Sequence, residues 1–432
     1  MKYVIMAAVV VLSTSVTARE LTLEQALQLA HEHSHTLREA EANRLAAEKL
    51  VSAAQAERFP TLSVDALAKF VDEVPSLNID LAAQVDIARE FGSKETYQTD
   101  LRLTLPLYTG GRISSAIALA RSGSEYRAAL NDLERDRVFL QARLDYFSLT
   151  RSAELLRAAR ASLRRTSVLQ DNILSLYSAG AADSVDLLEA RLAYTRADFQ
   201  VQQAEISSQS QRITLVSRLG LPAQEQIELT DPIPDPPQEL PLVAVSTERP
   251  ELRAAVAGIR AGEARVRSEK AGYLPTLAAF GGYSYGKPNI DPFTNQWNDN
   301  FTVGAKLQWS LNLGGGTSSK KAAASFELDA ARRRHDNTAE SISRETELAY
   351  EQLRLAHRRY FSSRTEWDVA AANYDLAQQQ HQNGALSSNR LLEIEAVLSH
   401  AEASLAAARV DFYIAQSAYY FALADERLGK GL

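Results

Sequence analysis

The sequence contains no cysteine. This excludes disulfides, thiolate metal sites, a cysteine nucleophile and a lipid carried on an amino-terminal cysteine. Beyond the first residues there is no apolar stretch approaching the roughly 20 residues that a membrane-spanning helix requires. Any crossing of a bilayer therefore falls to β-strands, which are short, alternate in polarity and leave little mark on hydropathy. An excess of positive charge is also missing: the net charge is -7, which argues against nucleic acid as a partner. Proline is absent from 112–178, 184–219, 317–382 and 388–428, and glycine nearly so.

Lys2 is followed by an apolar run from Val4 to Leu12 and by small residues ending Val16-Thr17-Ala18. That pattern predicts a secretory signal peptide over 1–18, cleaved after Ala18, and so a mature chain outside the cytoplasm. With 45% hydrophobic and 23% charged residues, the rest has the composition of a folded protein.

The mature chain reads as two copies of helix, strand, loop, strand, long helix, turn, long helix. Leu103-Thr104-Leu105-Pro106-Leu107-Tyr108-Thr109-Gly110-Gly111 corresponds to Leu307-Gln308-Trp309-Ser310-Leu311-Asn312-Leu313-Gly314-Gly315, a shift of 314 − 110 = 204. Gly180 with Leu187-Leu188-Glu189 corresponds to Gly384 with Leu391-Leu392-Glu393 at the same shift. Upstream, Phe59-Pro60-Thr61-Leu62 matches Leu274-Pro275-Thr276-Leu277 at 274 − 59 = 215, so the intervening loop differs in length. The expected division is a first repeat over 19–221, with strands near 61–70 and 97–108 and a hairpin turn near 180. A Pro-rich linker over 222–246 follows, then a second repeat over 247–432 with strands near 276–286 and 301–313 and a turn near 384. The linker carries Asp231-Pro232-Ile233-Pro234-Asp235-Pro236-Pro237, where the prolines forbid helix.

From Tyr97 to Leu107 the odd positions Leu101, Leu103, Leu105 and Leu107 are apolar and the even positions Gln98, Asp100, Arg102 and Thr104 are polar. In the second copy Phe301, Val303, Ala305, Leu307, Trp309, Leu311 and Leu313 alternate with Thr302, Gly304, Lys306, Gln308, Ser310 and Asn312. Each run has one greasy and one wet face and is close to the roughly 9 to 11 residues a tilted membrane strand needs. Tyr97, Tyr108, Tyr283, Tyr285, Trp297, Phe301 and Trp309 suit the aromatic girdles of an outer-membrane barrel. Segments 71–96 and 287–300 then become outward loops. The barrel-lumen candidates are Asp100, Arg102, Lys306 and Gln308. Four strands per chain do not close a barrel, whose smallest form has about eight, so the chain must oligomerise.

The proline-free segments are rich in Ala, Leu, Glu, Gln and Arg and predict long helices, the longest on the order of 100 Å at 1.5 Å per residue. In the last one Leu391, Leu398, Leu405, Phe412 and Tyr419 recur every seven residues, interleaved with Ile394, Ala401, Ala408, Ala415 and Ala422. The first-half equivalent has one stripe of Leu187, Tyr194, Val201 and Leu215 and a second of Leu192, Phe199, Ile206 and Ile213. A helix with two seams touches two neighbours, as a ring of helices demands.

The order of these elements, the Leu-Pro-Leu-Tyr-Thr-Gly-Gly-Arg run at 105–112, the two glycine turns followed by Leu-Leu-Glu and the opening Leu21-Thr22-Leu23-Glu24-Gln25-Ala26-Leu27 resemble TolC-like outer-membrane efflux proteins across nearly the whole mature chain. The resemblance implies a mixed α/β membrane protein: mainly long coiled-coil-like helices in an α-barrel, four strands per chain in a trimeric twelve-stranded transmembrane β-barrel, and an internal duplication. It implies a homotrimer in outer-membrane lipid, a periplasmic adaptor and an inner-membrane pump as partners, and a passive exit duct that is no enzyme. In that family the hairpin tips meet the adaptor, which here means Ala179-Gly180-Ala181 and Asn383-Gly384-Ala385. The family's acidic constriction falls on Arg390 and Glu393, of which only Glu393 keeps the charge, with Asp186 and Glu189 as first-half counterparts. An Asp186 to Arg390 ion pair across adjacent helix pairs is the resulting gate expectation. The alternative reading is a periplasmic adaptor or coiled-coil scaffold.

No catalytic, cofactor or metal residue is expected. Gly282-Tyr283-Ser284-Tyr285-Gly286 matches the nucleophile-elbow pattern but is followed by Lys287-Pro288 instead of a helix. His31 and His35, with His33 between, stand at i and i+4 and read as surface histidines. Gly314-Gly315-Gly316 lacks the lysine of a phosphate loop and reads as a strand-to-helix corner.

Overall fold

The computed structural model describes residues 19–81, 85–90, 93–240, 249–291 and 295–431. The expected signal peptide lies outside these residues, as do 241–246 of the expected linker. In chain order the elements are β1 (Arg19–Leu21), α1 (Leu23–His33), α2 (His35–Ala56), β2 (Thr61–Phe70), β3 (Ser76–Leu81), β4 (Val85–Glu90), β5 (Glu95–Tyr108), α3 (Arg112–Ser178) and α4 (Ser184–Arg218). They continue with β6 (Ile227–Leu229), α5 (Pro250–Lys270), β7 (Thr276–Lys287), β8 (Asn298–Gln308), α6 (Gly316–Gln382) and α7 (Ser388–Leu423). The duplication is visible in the bounds. α3 and α6 each have 67 residues, and both start and end 204 positions apart, at 112 and 316 and at 178 and 382.

The chain divides into two compact units, and the long helices contribute to both. The first comprises 19–41, 130–250 and 339–431 of the described residues. Its core gathers one face of α1 (Leu23, Ala26, Leu27 and Ala30) with Tyr146 and Phe147 of α3, Leu215 of α4 and Val410, Phe412 and Tyr413 of α7. α1 begins where it does because Thr22 and Gln25 cap each other's backbone N–H groups in a capping box. β1 and β6 pair in parallel, Glu20 with Glu228; neither strand was expected, and β6 falls inside the expected linker.

That linker is not a free spacer. Asp231 accepts from the N–H of Leu23 at 2.6 Å and the hydroxyl of Tyr146 at 3.1 Å. The Tyr413 hydroxyl donates to the carbonyl of Pro234, His357 Nε2 lies 2.7 Å from the carbonyl of Pro237, and Asp235 pairs with Arg409. Proline leaves carbonyls without a strand or helix to serve, and here side chains from two long helices, α7 and α6, take them.

The second unit comprises the described residues of 42–129 and 251–338. It holds a four-stranded sheet of order β2-β5-β7-β8, antiparallel throughout. β8 stops at Gln308, short of the 301–313 expected from alternation alone. Its partner β7 starts at Thr276, opposite Gln308, so residues 309–313 have no strand to pair with. The stretch 71–96, expected to be loop, contains the hairpin β3–β4, with Ile79 opposite Ile87. Pro106 is accommodated by a register shift between Pro106 and Tyr108, as proline in a strand requires.

Candidate functional site

The sheet sorts its side chains cleanly. Register places Asp65, Asp100, Ser284 and Asn300 in one row, and Ser63, Arg102, Gly282 and Thr302 in the next. Lys306 and Gln308 continue the same face, opposite Ala278 and Thr276. All four lumen candidates, Asp100, Arg102, Lys306 and Gln308, therefore share one face. Gln98 Nε2 reaches both oxygens of Asp100 at 3.0 Å, and that row continues into Ser284. The opposite face carries Leu62, Val64, Leu101, Leu103, Phe301, Val303 and Leu307, all exposed in the chain. Val303 keeps 74% of its surface open. An apolar face this continuous on one side of a sheet marks a surface meant for lipid or another protein. At one end of it Trp297 stacks on Tyr285 and Tyr97, with centroids 5.1 and 6.2 Å apart, and at the other Trp309 donates to the carbonyl of Tyr273.

The two hairpin tips are built alike. Gly180 and Gly384 adopt φ of +74° and +71°, the left-handed conformation that closes a helix. Ala181 N–H then returns to the carbonyl of Leu176 and Ala385 N–H to that of Gln380, both at 2.8 Å. The tip candidates Ala179, Gly180, Ala181, Asn383, Gly384 and Ala385 are all exposed. Among the gate candidates, Arg390 Nη1 lies 2.6 Å from Glu393 Oε2, one turn along α7, with both side chains largely open. Asp186 serves instead as the third residue of the α4 capping box, its carboxylate facing the N–H of Asp183. Within one chain Asp186 and Arg390 are not paired. Glu189 and Glu393 both line a cleft of about 1060 Å³ between α3, α4 and α7.

Above the tips the structure reveals charged residues that were not expected. Arg165 of α3 forks onto Glu402, 3.2 and 2.8 Å, and also reaches Glu395 at 3.2 Å. Ser162 donates to the same Glu395 oxygen at 3.0 Å. Burial raises the Glu395 carboxyl above its ordinary value despite Ser162 and Arg165. The sequence signal was present, since Glu395 and Glu402 are seven residues apart on one helical stripe. What hid it was that a charged heptad position normally reads as solvent-facing.

Two further buried arginines hold chain crossings. Arg143, 2% exposed, donates to Ser417 Oγ and to the carbonyls of Arg427, Leu428 and Lys430. Burial pulls its guanidinium down to about 10, still cationic at neutral pH. Arg249 donates to Glu345 and to the carbonyl of Ala422.

The rejected chemistries have structural accounts. Ser284 sits inside strand β7, not at a strand-to-helix turn, and donates to Asn289. The i, i+4 relation of His31 and His35 does not hold, because Ser34 is extended and separates α1 from α2. His31 stacks on Phe139 instead, and the His33 ring packs against Gly220. Gly315, at φ +76°, turns the chain into α6.

A family model described as outer membrane efflux protein matches residues 26–221 and 243–425. No curated protein matches the chain in sequence. Among solved structures, the outer-membrane channel OprN is similar with a TM-score of 0.77 at 20% identity, over 94% of this chain and 90% of that one. VceC from Vibrio cholerae gives 0.77 at 17% identity, over 93% and 96%. The open-state MtrE channel of Neisseria gonorrhoeae gives 0.73 at 16% identity, over 94% and 89%.

Proposed function

The chain belongs to the outer membrane efflux protein family, and from that premise we propose that three copies assemble into one passive duct, opened when an adaptor and an inner-membrane pump dock on its periplasmic end. Membership places it in the outer membrane of a Gram-negative bacterium, with its helices in the periplasm, as an efflux exit channel and not an enzyme.

The observation that carries the trimer is the sheet. Its four strands have a polar face, an open apolar face and two edge strands, β2 and β8, with no further partner among the described residues. Edge strands in lipid would leave N–H and C=O groups unsatisfied, at several kcal/mol each. Closure with other copies removes those edges. β2 runs antiparallel to β5, β5 to β7 and β7 to β8, so a second copy's β2 meets β8 antiparallel as well, and three copies give twelve strands.

In this reading residues 1–18 are removed on export, the repeats 19–221 and 247–432 each supply one strand pair and one helical hairpin, and 222–246 joins them. The exposed tips 179–181 and 383–385 meet the adaptor. Asp186, Glu189, Arg390 and Glu393 line the mouth, where Arg390 leaves Glu393 to pair with Asp186 of an adjacent helix pair in the closed state. A periplasmic adaptor usually carries one hairpin; two hairpins and a membrane-type sheet favour the duct.

The test is fractionation and migration. The protein is expected in the outer-membrane fraction, running as a trimer in unheated detergent gels and as a monomer after boiling. A soluble monomer in the periplasmic fraction would overturn the reading.

A further inference from the structure

Two rows of large apolar side chains on the first unit stand open. On α4 they are Val185, Leu192, Phe199, Ile206 and Ile213, one every seven residues, with Phe199 65% and Ile206 70% exposed. On α6 they are Leu348, Leu355, Val369 and Leu376, on the same heptad spacing with Ser362 at the intervening place, and Val369 is 65% exposed. The other faces of both helices are occupied within the chain: Ala190, Ala197 and Val201 of α4, and Tyr360, Ala370, Tyr374 and Ala377 of α6, are buried.

The two helices flank the same layer. Arg160 to Glu205 and Arg218 to Asp145 tie α4 to α3. Arg165 to Glu402 and Arg151 to Asp411 tie α3 to α7. Tyr360 packs with Leu405 and Ala408, tying α6 to α7. The open rows therefore belong to the two outer members of the layer.

We propose that α4 of one copy and α6 of the next zip together as an antiparallel heptad seam, which is the helical contact of the trimer. The inference rests on the trimer reading and specifies its residues. α4 runs away from its tip and α6 toward its own. The tips are level, because Ile173, Leu187 and Leu392, seven, seven and eight residues from their glycines, share one cluster.

Residues equally far from Gly180 and Gly384 then meet. At twelve residues Leu192 meets Ala372, at nineteen Phe199 meets Thr365, and at twenty-six Ile206 lies along the stem of Arg358. Between these layers, at eight, fifteen and twenty-nine residues, Leu376 meets Leu188, Val369 meets Thr195 and Leu355 meets Gln209. Apart from the Leu376 layer, each large apolar side chain faces a small or polar one; the large partner changes helix from layer to layer except at twenty-two residues, where Gln202 faces Ser362. Setting large against small in this way is how an antiparallel seam fills its apolar layers.

The flanks are mostly complementary. Arg191 comes opposite Asp375, and Arg196 opposite Glu366. Asp198 comes opposite Asp368, where Arg364 already lies 3.5 Å from the Asp368 carboxylate. One chain offers each row once, on opposite flanks. The contact is thus heterologous, of the kind that closes a ring by rotation.

The chain has no cysteine, so introduced thiols report alone. In the full-length protein, Thr195→Cys combined with Val369→Cys is expected to give disulfide-linked dimers and trimers on non-reducing gels. Each single variant is expected to stay monomeric after boiling. The shifted pair Thr195→Cys with Leu355→Cys, offset by fourteen residues or about 21 Å, exceeds the roughly 4.4 to 6.8 Å between Cα atoms that a disulfide spans and is expected to stay unlinked. Equal linking of the two pairs, or only an intrachain product, in protein that still migrates as a heat-sensitive trimer overturns the seam and leaves the trimer standing. A monomer in mild detergent overturns both.

Discussion

Arg165 joins α3 to α7 through two carboxylates, Glu395 and Glu402, and the three side chains are mostly buried, at 21%, 7% and 23% exposure. Removing one member of such a group costs more than never having had it, because a charge stays behind without its partner. Arg165→Ala is expected to destabilise by about 3 to 5 kcal/mol, read as a lower midpoint in thermal unfolding of the detergent-solubilised protein. Glu395→Gln is expected to cost far less, since Ser162 still has an oxygen to donate to and Arg165 keeps its fork on Glu402. The pH dependence separates the two. Burial raises the Glu395 carboxyl in the folded state. Its stabilising contribution is therefore complete below the unfolded value and is lost as pH rises through the raised folded value. Glu395→Gln should flatten that part of the stability profile, and a profile identical to the parent's would contradict the burial account. At this scale the sequence was least legible: Arg143 and Arg165 look like any other helix-surface arginine, and Arg249 like a residue of the segment before α5, until distant segments supply carbonyls and carboxylates to pair with them.

At the scale of elements, legibility followed locality. The long helices, both glycine turns and β2, β5 and β7 were visible because period, turn residue and breaker all lie within one short window. The pairing of β1 with β6 joins residues about two hundred positions apart over three residues each, and no window contains it. β8 was expected five residues too long because alternation continues through Trp309, Leu311 and Leu313 after its partner strand has ended. Proline forbids helix and makes the 222–246 segment look like a spacer in sequence, yet Pro234 and Pro237 present carbonyls that Tyr413 and His357 use. The mouth of the hairpins also belongs to this scale. Arg390 is held by Glu393 on its own helix, and a surface pair of this kind is worth only about 0 to 1 kcal/mol. In the proposed gate, exchange of Arg390 to Asp186 of a neighbouring helix pair would thus be a low-cost switch. Arg390→Ala and Asp186→Asn, the latter chosen to keep a capping side chain on α4, are each expected to raise the closed-state conductance in planar bilayers. An unchanged closed state in both variants removes the gate.

For the whole molecule, the decisive matter is which face of the sheet meets lipid. Leu103 and Leu307 lie on the apolar face, and Arg102 and Lys306 on the other. Because side chains alternate with a period of two, a shift of one residue would exchange every contact. Leu101, Leu103, Val303 and Leu307 stand uncovered within the chain, so in water they would drive aggregation, and in a bilayer they are satisfied without a protein partner. The charged face has the opposite need: a lysine or arginine on the lipid side near the bilayer midplane costs about 2 to 4 kcal/mol, and Arg102 and Lys306 would both incur it in each of three copies. Closure with the charged face inward removes that cost and the unpaired edges of β2 and β8 together. Spin labels placed singly at positions 103 and 307 in the reconstituted trimer are therefore expected to be relaxed by oxygen dissolved in the acyl chains. Labels at 102 and 306 are expected to be relaxed by a water-soluble reagent. The reverse pattern would turn the barrel inside out and remove the membrane assignment, whereas relaxation of all four by the water-soluble reagent would mean that the sheet does not enter the bilayer.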